Sequence, residues 1–401
     1  MSRLDYRRKR QRELAPEPEK ANPQKRWSGL IVLALLVLVI ALVVVLAAQQ
    51  QGFWDSIVKN DGQELTIDQN TLATIPYSTD QKGVSAVYGN DVVIADVSGV
   101  RALSPAGEVK WEVELAFNTP FISVDGSYVL AADKGGKDVY IINNGKLELH
   151  SKTQYPILNA RVMSDGNFVT ITDEPYYKGL VSVRNIRDEE QFVWHSGSVY
   201  VIDAALSQNA QRLAVAVIDA QVAIDEESEG SFTSGVMMFN LYESEPYQTH
   251  YFHNGLVTNV YKNGVDAFIA LADSFVAGFG QTGEIVWSYD YPGAKMHHVA
   301  HADSLTAVCM TDADGMQKIV VIDSQGKEKC VIPVETEVRF LSLCADRLAF
   351  NRASGIAMYN TDGRELYTIS NEFEYSAFKL FDGGRRGLGT TTIAINVIET
   401  R

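Results

Sequence analysis

The chain has 401 residues, 46% of them apolar, with 50 acidic against 35 basic side chains and a net charge of −15. That balance excludes nucleic acid as a partner. Three cysteines, Cys309, Cys330 and Cys344, are too few for a disulfide framework, and their spacing does not form a zinc knuckle.

Residues 1–28 are basic, interrupted by Pro16, Pro18 and Pro23, and read as a disordered cytoplasmic tail. Residues 29–48 read GLIVLALLVLVIALVVVLAA, without a single charge. A helix of that length, rising roughly 1.5 Å per residue, covers a ~30 Å hydrocarbon core. Nine Lys or Arg precede it, and Lys59 is the only one in the twenty residues that follow, so the positive-inside rule places the N-terminus in the cytoplasm. Trp27 and Trp54 sit where interfacial aromatics belong. A cleaved signal peptide is the alternative, but the apolar run exceeds the typical ~7 to 15 residues of one.

Residues 49–62 are expected to be a linker and 63–401 an extracytoplasmic domain. Charge divides at the span: residues 1–48 carry nine basic and four acidic groups, net +5, which leaves 26 basic and 46 acidic beyond, net −20. An acidic domain of this kind argues against nucleic acid and against lying flat on anionic lipid.

Beyond the linker the chain repeats itself. Each copy holds an apolar strand, a polar turn that usually contains Gly, and another strand. The turn centres fall near residues 107, 145, 189, 243, 283, 326 and 363, and two further strand-like runs precede each copy. This period predicts an all-β fold, a β-propeller of four-stranded blades. Strand-like runs at 375–382, 386–392 and 393–398, together with 63–67 at the other end, predict eight blades with the last closed by both chain ends; seven is the alternative.

The ectodomain tryptophans Trp111, Trp194 and Trp287 are each placed at the opening of the fourth strand of a blade. Gly107-Glu-Val-Lys-Trp111 and Gly283-Glu-Ile-Val-Trp287 resemble the tryptophan-docking repeats of quinoprotein-type (PQQ-like, WD40-like) propellers, which implies an indole packed between neighbouring blades. The chain as a whole also resembles an uncharacterised Gram-positive family of single-pass, membrane-anchored propellers. Catalytic quinoproteins hold their cofactor with a vicinal disulfide and a calcium site. No adjacent cysteines occur here, so the resemblance does not carry the activity across.

Other motifs favour structure over chemistry. Gly278-Phe-Gly280-Gln-Thr-Gly283 matches the dinucleotide fingerprint but leads into a strand, not a helix. Gly384-Arg-Arg-Gly-Leu-Gly389 lacks the Lys-Ser or Lys-Thr of a phosphate loop and reads as a turn. His297 and His301 fall on one face of a strand, about 13 Å apart at ~3.3 Å per residue, too far to share an ion. No catalytic residue, cofactor or metal is expected.

The informative loops join the second and third strands of a blade. They hold Asp173, Glu174, Tyr176 and Tyr177 in the third blade and Asp225, Glu226, Glu227, Glu229 and Phe232 in the fourth, so two adjacent blades would present acidic, aromatic loops on one face. The sequence therefore predicts a non-enzymatic scaffold or adaptor that recruits a cell-envelope protein. A ligand-binding sensor and an enzyme with a loop-built site are the alternatives.

Overall fold

The computed structural model describes residues 65–76, 83–220, 233–291, 293–302 and 304–400. The basic tail, the apolar run 29–48 and the linker 49–62 lie outside the described residues. Among the described residues there is no helix, and so none long and apolar enough to cross a membrane.

The strands form eight sheets, each built on an antiparallel meander of four strands, A to D. Blades I to VII occupy residues 84–114, 120–152, 157–195, 200–252, 257–290, 295–334 and 341–370. Blade VIII takes strands A to C from Ala377–Leu380, Arg386–Thr390 and Ala394–Glu399, and strand D from the other end of the chain, Asn70–Pro76. The ring is an eight-bladed propeller, closed by both ends as the repeat count implies.

Burial follows strand order. The middle strands are apolar without alternation because both faces of a blade are covered: Phe268–Ala272 and Phe275–Phe279 of blade V are buried at every position. The outer strands alternate, since only one face meets the next blade; Val109–Glu114 and Ile285–Asp290 both show this. Within strand B of blade V, Phe268, Ala270 and Ala272 join the apolar cluster shared with blade IV, while Ile269 and Leu271 join the one shared with blade VI. Each of the eight seams holds one such cluster.

The seams also hold the tryptophan docking. Trp111 lies against Gly145 in the C-to-D turn of blade II, and Trp287 against Gly326 in that of blade VI, its Nε1 donating to the Ser324 carbonyl at 2.9 Å. Both glycines have φ near +80°, and a Cβ on either would sit 2.5 Å from an indole carbon. Glycine is therefore required twice over, for its backbone and for the close approach. Cys330 takes the same place against Gly363.

Two expectations need correction. Trp194 does not open its strand D; it is the fifth residue of Glu190–His195. The docking position belongs to Phe192, four residues after Asp188 (φ +63°), and both rings pack on Phe239 of blade IV, at 5.3 and 5.0 Å. The closing strand is also not 63–67. Thr66–Ile67 pairs in parallel with strand D of blade VII, as a fifth strand there, and Asn70–Pro76 closes blade VIII. The closing ladder pairs Ile75, which is buried, with Ile395 across more than 300 residues of chain.

The Gly278 to Gly283 stretch is the expected C-to-D hairpin, between Phe275–Phe279 and Ile285–Asp290. His297 and His301 lie on strand A of blade VI, Lys295–Ala302, and bond Thr311 and Thr306 of their own blade.

Candidate functional site

In an antiparallel meander the B-to-C connections and the links between blades emerge on one face, and the A-to-B and C-to-D turns on the other. The B-to-C connection of blade III spans residues 173–179 and that of blade IV 220–232. Asp225, Glu226, Glu227, Glu229 and Phe232 lie outside the described residues.

The four predicted residues of blade III do not act alike. Asp173 is exposed at the rim. Glu174 turns inward: it is buried, and its carboxylate lies 2.5 Å from His195 Nδ1 on strand D. Tyr177 covers that pair, its ring 5.2 Å from the imidazole. Tyr176 is fully exposed and held at φ +72°, a left-handed conformation uncommon for a bulky residue. The Glu174 to His195 bond thus fixes the root of a loop that displays an aromatic tip.

Beside this loop a groove of about 390 Å³ opens between blades III and IV. Its walls are Leu158 and Ile202 from the two strands A, Ile218 from strand B of blade IV, and Tyr177 and Tyr200. Leu158, Tyr177, Tyr200 and Ile202 are each between 36 and 44% exposed. Lys178 reaches across, its ammonium 3.1 Å from the Tyr200 hydroxyl and 4.7 Å from the ring centre.

Exposed apolar side chains elsewhere share this face. Val97, Met316 and Ile393 stand in the B-to-C connections of blades I, VI and VIII, and Phe373 in the link from VII to VIII. On the opposite face the turns expose Tyr242 and Val265.

The central channel is organised differently. Asp203, on strand A of blade IV and 1% exposed, accepts from Arg161 at 2.6 Å, Asn159 at 3.1 Å, the Val260 amide at 3.1 Å and Asn259 at 3.4 Å. One carboxylate therefore ties blades III, IV and V. Arg161 also donates to the Val260 carbonyl and lies over Tyr261, which stacks on His301 of blade VI. Burial pushes the Tyr261 phenol up, and Arg161 pulls it back. Lys262 of blade V meets Asp125 of blade II at 2.5 Å. Arg161, Tyr261, His301, Lys262 and Asp125 border a cavity of about 1100 Å³. Among the described residues no group of three or more His, Cys, Asp or Glu is placed to hold a metal.

Leu158, Lys178, Tyr200, Ile202 and Asp203 were not anticipated, yet the chain carries a trace of them. Ile157-Leu158-Asn159, Val201-Ile202-Asp203 and Val257-Thr258-Asn259 align as the same three-residue step at the start of strand A in successive blades.

Comparison with known proteins agrees with the propeller fold. The chain belongs to DUF5711, a family of unknown function, whose model matches residues 67–398. No curated protein matches it. Among solved structures it is similar to BamB from Moraxella catarrhalis, at 14% identity and a TM-score of 0.55, over 82% of this chain and 99% of that one. The β-propeller domain of Cps50 (Swd1) from Myceliophteria thermophila matches at 10% identity and a TM-score of 0.50, over 83% of this chain and all of that one. The C-terminal WD40 domain of Sif2 matches at 13% identity and a TM-score of 0.46, over 79% and 81%. At these identities the likeness is one of fold.

Proposed function

We propose that the protein is a non-enzymatic scaffold or adaptor of the cell envelope. In this reading residues 29–48 anchor it in the membrane, residues 1–28 lie in the cytoplasm, and the propeller outside binds a partner protein through its B-to-C face. The observation that carries the reading is the concentration of exposed aromatic and aliphatic side chains on that face, with Tyr176, Tyr177 and Tyr200 clustered at blades III and IV. Aromatics held on a rigid scaffold offer contact area at low entropic cost, the composition of interface hot spots. The apolar run and the charge reversal around it support the anchor.

Photo-crosslinking in native membranes tests this. A photoreactive phenylalanine analogue at Tyr176 is expected to capture an envelope protein, whereas the same group at Tyr242, on the opposite face, is not. Equal capture at both positions, or none at Tyr176, would refute the reading.

A second reading has one observation behind it, the channel cavity of about 1100 Å³ bordered by Arg161, Lys262, His301 and four serines. It would make the propeller a sensor of a small polar ligand. Thermal-shift screening separates the two, since a ligand raises the melting temperature by mass action and a scaffold without one does not respond.

A further inference from the structure

Four successive inner strands carry a β-bulge at the same place. The register slips between Ile157 and Asn159, Val201 and Asp203, Val257 and Asn259, and Met296 and His298, in blades III to VI. Strands A of blades I, II, VII and VIII pair without a slip. A bulge adds a residue that its partner strand cannot match and re-aims its side chain.

In blades V and VI the extra residues are polar and bond within their own blade: Thr258 donates to the Leu271 carbonyl and His297 bonds Thr311. In blades III and IV they are Leu158 and Ile202, 43 and 36% exposed, and both line the groove. Two bulges have placed aliphatic side chains at the surface where their own blades give them no cover. The groove is thus a built feature.

Its rim carries two charged side chains, Lys178 and Asp173. Lys178 is already engaged by Tyr200, while Asp173 is exposed and has no ion pair or side-chain hydrogen bond among the described residues. The domain behind it carries a net −20 beyond residue 48. A second copy of this chain would bring the same excess of negative charge, and an anionic lipid surface would be repelled likewise.

We infer that this groove binds an extended segment of a partner protein, which inserts one large apolar side chain between Leu158 and Ile202 and sets a neighbouring Lys or Arg over Asp173. The inference rests on the scaffold reading and names the subsite and the chemistry of its ligand. Tyr200 forms the aromatic wall beside the anchor, and Tyr177 closes the outer end.

The test places the photoreactive phenylalanine analogue at Tyr200 of the full chain in native membranes, in parallel with the probe at Tyr176, and maps the captured peptide by mass spectrometry. A segment of another protein with a large apolar residue within two positions of Lys or Arg is expected. A synthetic peptide of that segment should then bind the full chain about tenfold more weakly after either Ile202→Asp or Tyr200→Ser, the second an exposed position where folding is not at issue. Capture at Tyr176 with none at Tyr200 would overturn the groove and leave the scaffold standing; no capture at either would overturn both. Capture at Tyr200 of residues 221–232 of this chain, of a second copy, of lipid or glycan, or of a segment without a basic residue would also overturn the inference, as would unchanged peptide affinity in both variants.

Discussion

One methyl group can test the docking of neighbouring blades. At Gly326, φ is +77°, and replacing hydrogen by methyl puts a carbon 2.5 Å from Cδ2 and Cε3 of Trp287. The backbone alone costs about 1–2 kcal/mol for an L-residue in this region. Contact between carbons is comfortable only near ~3.5–4.0 Å, so the indole must retreat by about 1 Å. That retreat breaks the Nε1 bond to the Ser324 carbonyl, worth about 1 kcal/mol net, and opens the packing around it. Gly326→Ala is therefore expected to cost about 3 kcal/mol in all.

Gly264 supplies the control, because its φ is also +77° and nothing lies within 4 Å of a Cβ built there. Gly264→Ala should show only the backbone cost, about 1–2 kcal/mol. Urea unfolding followed by far-UV circular dichroism gives both values. In a Trp287→Ala background the excess cost of Gly326→Ala should disappear, a coupling of about 1–2 kcal/mol in the double-mutant cycle. If the two alanine variants lose the same stability within about 0.5 kcal/mol, or if the cycle shows no coupling, the indole is not wedged on the glycine and the argument fails.

Asp203→Ala strands Arg161 and three further donors in the wall of the channel, and should cost about 3–5 kcal/mol by urea unfolding. Burial pushes the Cys309 thiol up to about 11, so in the native protein at pH 8 its alkylation should be far slower than in urea. Burial and the bond to Glu365 push the Tyr359 phenol up to about 12. Its stabilising contribution is fully present below pH ~10, where the unfolded phenol is still protonated, and is lost as the pH rises toward 12; Tyr359→Phe should flatten the alkaline fall in stability. A chain begun at residue 77 lacks the strand that closes blade VIII and leaves the Ala394–Glu399 edge open, so it should aggregate where one begun at residue 65 remains monodisperse on size exclusion.

The C-to-D hairpins were legible because their signal is local: a left-handed turn residue, then an apolar residue four positions later. Gly107 with Trp111, Gly283 with Trp287 and Gly326 with Cys330 all follow it. In blade III the turn residue is Asp188, so the pattern pointed to the nearby Trp194 and passed over Phe192. The C-terminal strands of blade VIII were found to within a few residues, but their N-terminal partner was not. Asn70–Pro76 ends in proline and buries one large apolar side chain, Ile75, so it carries little periodic signal of its own. Glu174 looked like one more solvated acid in a loop, since its partner His195 is 21 residues away. The groove was hidden for a similar reason: a bulge breaks the two-residue alternation, and Leu158 and Ile202 beside Ile157 and Val201 look like ordinary core strands.

Closure and groove are connected by the geometry of the ring. The described chain enters at the seam of blades VII and VIII, where Thr66–Ile67 lies along one blade and Asn70–Pro76 completes the next. In a ring of eight, the seam of blades III and IV is four steps away, the most distant point around the circumference. A scaffold tethered by its N-terminus has to spend one part of its perimeter on the tether and keep another free for its partner. The seam of blades VII and VIII is locked by two strand pairings and by Gln69, whose backbone amide donates to Ser370 Oγ and whose side chain accepts from Tyr375. The seam of blades III and IV carries the groove and the exposed tyrosines. If residues 29–48 span the membrane, the fourteen residues 49–62 reach at most about 50 Å. Shortening that linker should then restrict where a partner can be met without altering the groove itself, so capture in membranes would fall while the affinity for a synthetic segment stayed the same.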